Sequence, residues 1–187
     1  MALNKGYLTA KTDAASDEVY TPEIAVKPLI EYLDDFNDRR FVLKPERSML
    51  TIWCPFDELD SFYVKVLSDC GFTVIASHIN DGRNFFYWEP ETYDIIVSNP
   101  PFSIKDDILK RLYELNKPYA MLLPIPTLQG QKRFAYLKNC QALIFDKRIN
   151  YYKDKSMKEV QKGVSFGSCY ICKDFLPKDL IFKELEK

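Results

Sequence analysis

Short runs that are apolar at nearly every position alternate along this chain with segments of helical period. Residues 49–53, 72–78, 93–98, 119–123, 142–145 and 164–172 read as strands, while 61–68, 106–115 and 131–138 read as helices. A strand with one wet face alternates apolar and polar residues, so strands apolar throughout must be covered on both faces. The expected fold class is therefore α/β, a doubly wound and mostly parallel sheet with helices on both faces. In such folds ligands sit beyond the carboxyl ends of the strands, which directs attention to the residues just after each strand.

Residues 1–17 read as a flexible arm and 18–187 as the domain, with no room for a separate recognition domain. Thr21-Pro22-Glu23 reads as a helix start, with a hydroxyl at the N-cap and proline in the first turn, and Pro28 should kink that helix or begin a second. A chain of 187 residues buries roughly two-thirds of the surface its unfolded form exposes and needs no disulfide or metal to hold a core. Its five cysteines, an odd number, favour a reducing, cytoplasmic compartment. Cys169 and Cys172 form a CxxC, but residues three apart on a strand face opposite sides of a sheet, so no metal site is expected. No apolar run approaches the ~20 residues of a membrane span, and the polar start lacks the apolar stretch of a secretory leader.

The charge balance of 26 Lys+Arg against 27 Asp+Glu excludes no class of partner, because phosphate contacts require only a local basic surface. One segment has that character. Lys147, Arg148, Lys153, Lys155, Lys158 and Lys162 stand against Asp154 and Glu159, interleaved with Tyr151 and Tyr152. A nucleic-acid surface, with lysines near phosphates and tyrosines near bases, and a plain solvated loop both account for this composition.

The most distinctive stretch is Asp94-Ile95-Ile96-Val97-Ser98-Asn99-Pro100-Pro101-Phe102, an apolar strand that runs into an amide, two prolines and an aromatic ring. Two prolines fix φ twice and remove two backbone donors, leaving a stiff loop of carbonyls beside an amide oxygen and a flat ring. Two acceptors and a stacking surface are what a planar, amino-bearing heterocycle requires.

Asn99-Pro100-Pro101-Phe102 resembles the signature of the S-adenosylmethionine-dependent amino methyltransferases, chiefly those acting on N6 of adenine in DNA: an Asp, Asn or Ser, two prolines, then Tyr or Phe. The preceding Asn84-Phe85-Phe86-Tyr87-Trp88-Glu89-Pro90 is similar to the segment that leads into the family's motif strand. Tyr20-Thr21-Pro22 is similar to the opening of its cofactor-binding helix, and Trp53-Cys54-Pro55-Phe56-Asp57 occupies the place of its Asp-Pro-Phe-x-Gly-x-Gly loop. The pieces run in family order over about residues 18–125. Both loop glycines are replaced, by Glu58 and Asp60, and Cys54 and Asn84 stand where the family carries acids.

The resemblance implies a Rossmann-like methyltransferase sheet of the small, phage-like form, with S-adenosylmethionine as cofactor and DNA as partner. It assigns catalysis to Asn99, Pro100, Pro101 and Phe102. Cofactor binding falls to Tyr20, Thr21, Pro22, Cys54, Pro55, Phe56, Asn84 and Phe85, with His78 on the ribose side and Asp57 and Asp81 in place of the missing acids. The nucleic-acid surface falls to Lys147, Arg148, Tyr151, Tyr152, Lys153 and Lys155. Two alternatives stay open: the same motif serves methyltransferases of RNA bases and of glutamine side chains, and the lost glycines suit a non-catalytic binding module.

Overall fold

The computed structural model describes residues 19–154, 156, 158–161 and 166–186; the arm expected over 1–17 and Lys155 lie outside them. Among the described residues seven strands form one mixed sheet: β1 (Thr51–Cys54), β2 (Thr73–Ala76), β3 (Ile95–Ser98), β4 (Tyr119–Pro124), β5 (Gln141–Phe145), β6 (Ser168–Lys173) and β7 (Leu180–Lys183), in the order β2-β1-β3-β4-β6-β5-β7. β6 is antiparallel to both its neighbours and the other pairings are parallel. The α/β sheet is thus mostly parallel, as expected, with one strand reversed.

The two-residue period of the strands divides the core in two. Ile52, Cys54, Ile95, Val97, Ala120, Leu122, Tyr170 and Cys172 face one layer, with Ala25, Leu33, Val64 and Leu67 from helices α1 to α3. Those helices span Glu23–Val26, Ile30–Asp38 and Phe62–Asp69. Trp53, Ile96, Met121, Leu123, Cys169 and Ile171 face the other layer, against Ile108, Leu109 and Leu112 of α4 (Lys105–Leu115) and Leu137 of α5 (Phe134–Leu137). Cys169 and Cys172 lie on opposite faces, as their spacing requires.

Local chemistry places the helix ends. Ser61 caps α3 by accepting the Val64 N–H at 3.2 Å, and Gly71 follows the helix with φ of 93°, a conformation that costs glycine little. Pro28 sits in a 3-10 turn, Lys27–Leu29, that joins α1 to α2. Thr21 is not the cap of α1: Pro22 holds that position and no side chain caps the helix. The helix expected over 131–138 is reduced to Phe134–Leu137, because the polar stretch before it turns back so that Arg133 and Phe134 both donate to the Gly130 carbonyl.

Candidate active site at the strand ends

From β1 the chain crosses to β2 on one side and returns to β3 on the other, so the connections leaving β1 and β3 diverge at their carboxyl ends. Such a switch point is where an open α/β sheet leaves a crevice. A cavity of about 280 Å³ occupies it. Pro55, Phe56, Asp57, Glu58 and Asp60 line it from the loop after β1, and Phe62, Tyr63 and Lys65 from the start of α3. His78 and Ile79 enter after β2, Asn84 and Phe85 from the next connection, and Asn99, Pro100 and Pro101 after β3. Tyr20 and Thr21 close the wall from the entry to α1.

Asn99 brings to this wall a side-chain oxygen, Oδ1, that is buried and has no hydrogen-bond partner among the described residues. A buried acceptor without a donor costs about 1–3 kcal/mol, so the site holds unspent affinity for an N–H or O–H group. The two prolines that follow fix the loop, and Pro101 leads directly into a 3-10 turn, Phe102–Ile104.

Beneath the cavity the ends of β1, β2 and β3 are tied together. The Ser77 N–H donates to the Cys54 carbonyl at 3.0 Å and the Asp57 N–H to the Ser77 carbonyl at 3.3 Å. Trp53 Nε1 donates to Ser77 Oγ at 2.9 Å. The Asp57 carboxylate, 7% exposed, accepts the hydroxyl of Ser98, the last residue of β3, and also that of Ser61. Burial pushes this carboxyl up to about 6, against the opposing pull of the two hydroxyls.

The aromatic wall is equally fixed. Asn84 Oδ1 accepts the Phe86 N–H at 2.9 Å, an Asx turn that aims Phe85 inward. Phe85 then packs between Trp53 and Phe56, with ring centroids at 5.5 and 4.9 Å, and still lines the cavity. It serves core and cavity at once. His78 Nδ1 accepts the Asn80 N–H at 3.2 Å, and Asn80 Nδ2 donates to Glu58 Oε1 at 2.9 Å, which joins the loops after β1 and β2.

Four residues expected at the site stand outside the cavity wall. The Cys54 side chain points into the core beside α1 and α3, where burial pushes its thiol well up. Pro22 heads α1. The Asp81 carboxylate is engaged by Arg83 at 2.6 Å and by the His78 N–H. Phe102 packs edge-on against Tyr151 and Phe166, at 6.1 and 5.5 Å.

No family model matches the chain, and no curated protein matches its sequence. The residues themselves therefore carry the functional reading. Three of them had no role in the sequence: Ser61, Lys65 and Ser98. A hydroxyl opening a helical run and a hydroxyl ending an apolar strand were the available signals for the two serines, and nothing in the local pattern distinguishes Lys65.

The basic segment is built differently from the expected nucleic-acid surface. Tyr151 is 1% exposed and donates its hydroxyl to Ser168 Oγ at 2.8 Å, so its ring supports Phe102 and presents no free face to a base. Lys147 Nζ holds the carbonyls of Leu185 and Glu186, and Lys153 pairs with Glu159 at 2.7 Å. Arg148 is exposed. Tyr152 exchanges both backbone hydrogen bonds with Tyr20, at 2.9 and 3.0 Å, and thereby anchors the segment that closes the cavity.

Proposed function

We propose that this chain is an S-adenosylmethionine-dependent methyltransferase that acts on the N6 amino group of adenine in DNA. The observation that carries the reading is the unpartnered Asn99 Oδ1, held by a proline-stiffened loop on the wall of a switch-point cavity. The lone pair of an adenine N6 is delocalised into the ring, which makes the nitrogen a poor nucleophile. Asn99 Oδ1 accepts one of its hydrogens and the Pro100 carbonyl the other, drawing the nitrogen toward tetrahedral geometry and freeing the pair. Phe102, braced by Tyr151 and Phe166, stacks on the extruded base. Extrusion costs a few kcal/mol and stacking on an aromatic ring returns about 1–3. Fixed acceptors in a dry site need no reorganisation as charge develops. The displaced proton leaves to water.

The lining suits the cofactor. Phe56, Phe85 and Ile79 offer an apolar berth for a nucleoside base, while Asp57, Glu58 and Asp60 favour a cation. Lys65 and the first turn of α3 favour a carboxylate. When bound, the cofactor supplies an electrophilic methyl group on a sulfonium.

One observation favours a second reading, a binding module without turnover. The loop after β1 places Glu58 and Asp60 on the cavity wall, where glycines would leave backbone open to a cofactor. Calorimetry separates the two. On the enzymatic reading the protein binds S-adenosylmethionine and passes radiolabelled methyl to duplex DNA in preference to structured RNA or protein. Asn99→Ala abolishes transfer and leaves that binding nearly intact; turnover retained in the variant removes Asn99 from the mechanism.

A further inference from the structure

The Asp57 carboxylate lies where the loops from β1, β2 and β3 come together. Its own N–H is held by the Ser77 carbonyl after β2, and its side chain accepts from Ser98 at the end of β3 and from Ser61 at the cap of α3. Ser98 is fully buried, paired in register with Met121 of β4, and is bonded directly to Asn99. Tilting Ser98 therefore tilts the amide that follows it. A carboxyl group is a costly filler for such a spot, since an apolar side chain of similar volume would occupy it without desolvating a charge.

We propose that Asp57 is the positioning residue of this site, its carboxylate setting the pose of the Asn99 amide through the Ser98 hydroxyl. The inference rests on the methyl-transfer reading only for what the Asn99 amide acts upon. Asp57 is set to change charge near neutrality, its carboxyl standing at about 6. Of the groups packed around it, Cys54, Tyr63 and Tyr170 are pushed up by burial and stay neutral through that range. Glu58 and Asp60 on its own loop, Lys65 on α3 and His78 after β2 are further ionisable side chains at the cavity wall.

The test is the side-chain amide resonance of Asn99 in nitrogen-15-labelled protein, assigned by its loss in Asn99→Ala and followed against pH without any ligand. In the unaltered chain the resonance moves with a midpoint at about 6. Asp57→Asn, nearly isosteric, abolishes the movement. Ser98→Ala removes a donor that favours the ionised form and raises the midpoint. Imidazoles titrate in the same range, so His78→Gln is the control and leaves the midpoint in place. An Asn99 resonance that does not move, or that moves equally in Asp57→Asn, overturns the proposal. Where transfer is active, Asp57→Asn lowers kcat by about tenfold and changes cofactor affinity less than about threefold. An Asn99 signal that follows Asp57 in a protein with no affinity for S-adenosylmethionine keeps Asp57 in its role and discards the methyltransferase.

Discussion

Asp57 gives up most of its hydration on folding and recovers part of the loss from two hydroxyls, a balance with a measurable sign. The ordinary value of the group is 3.8 and the folded value about 6. Its folded pKa is raised, so its contribution is most favourable below about pH 4, where both states are protonated, and falls as pH climbs to about 6, where the folded carboxyl ionises. Above that the cost is constant, about 3 kcal/mol for a difference of about two pH units. Asparagine still accepts the Ser98 hydroxyl but carries no charge. Urea melts of the two proteins are expected to diverge in favour of Asp57→Asn between about pH 4 and 6 and to run parallel above; a pH-independent gap would mean that Asp57 does not titrate in the fold. Residues such as this one were only half legible in the sequence. Asn99, Pro100 and Pro101 stood out by position: the same tripeptide can be a plain turn, but here it ends an apolar strand of an α/β sheet. Asp57 was visible as a loop acid, but its partner Ser98 was hidden, since a serine ending a strand looks the same whether it holds a carboxylate or faces water.

At the scale of elements, legibility followed burial. β1, β3 and β4 are sandwiched between two helical layers, so nearly every position is apolar and the run stands out; β7 is a half-exposed edge strand and does not. The reversal of β6 was equally hidden, because strand direction is a property of the connections and leaves no mark on the alternation of side chains. α3 was legible from its period and also carries a site function, since Ser61 both caps the helix and donates to Asp57. Removal of an N-cap hydroxyl costs about 1 kcal/mol, and loss of the bond to Asp57 adds to it. Ser61→Ala is therefore expected to lower stability by about 1–2 kcal/mol in urea melts at neutral pH. Ser61→Asn, able to cap but a poorer fit beside the carboxylate, should recover part of that, and the effects of Ser61→Ala and Asp57→Asn should be non-additive because the two side chains touch. Additive effects would place the cap and the carboxylate in separate networks.

For the whole molecule, the cavity is walled by pieces far apart in sequence: the entry at Tyr20 and Thr21, the loops after β1, β2 and β3, and the start of α3. The entry is pinned in turn by its backbone bridge to Tyr152, in the segment whose basic composition suggested a nucleic-acid surface. That segment thus has a structural duty that composition could not disclose. A ligand that closes against all these walls at once should slow local opening in each of them together, because binding only to the closed form stabilises it by about 2.7 kcal/mol at a hundredfold excess over Kd. Hydrogen exchange with and without S-adenosylmethionine reads this directly. Protection is expected to rise at the amides of 20–21, 55–63, 78–81, 98–104 and 151–153, and to stay unchanged in β5 and β7, at the far edge of the sheet. The rise at 151–153 is the discriminating part, since those residues do not line the cavity and reach it through the bridge to Tyr20 and the packing of Tyr151 on Phe102. Protection confined to 55–63 would describe a ligand resting on one loop, and a rise centred on β7 would move the site to the opposite edge of the molecule.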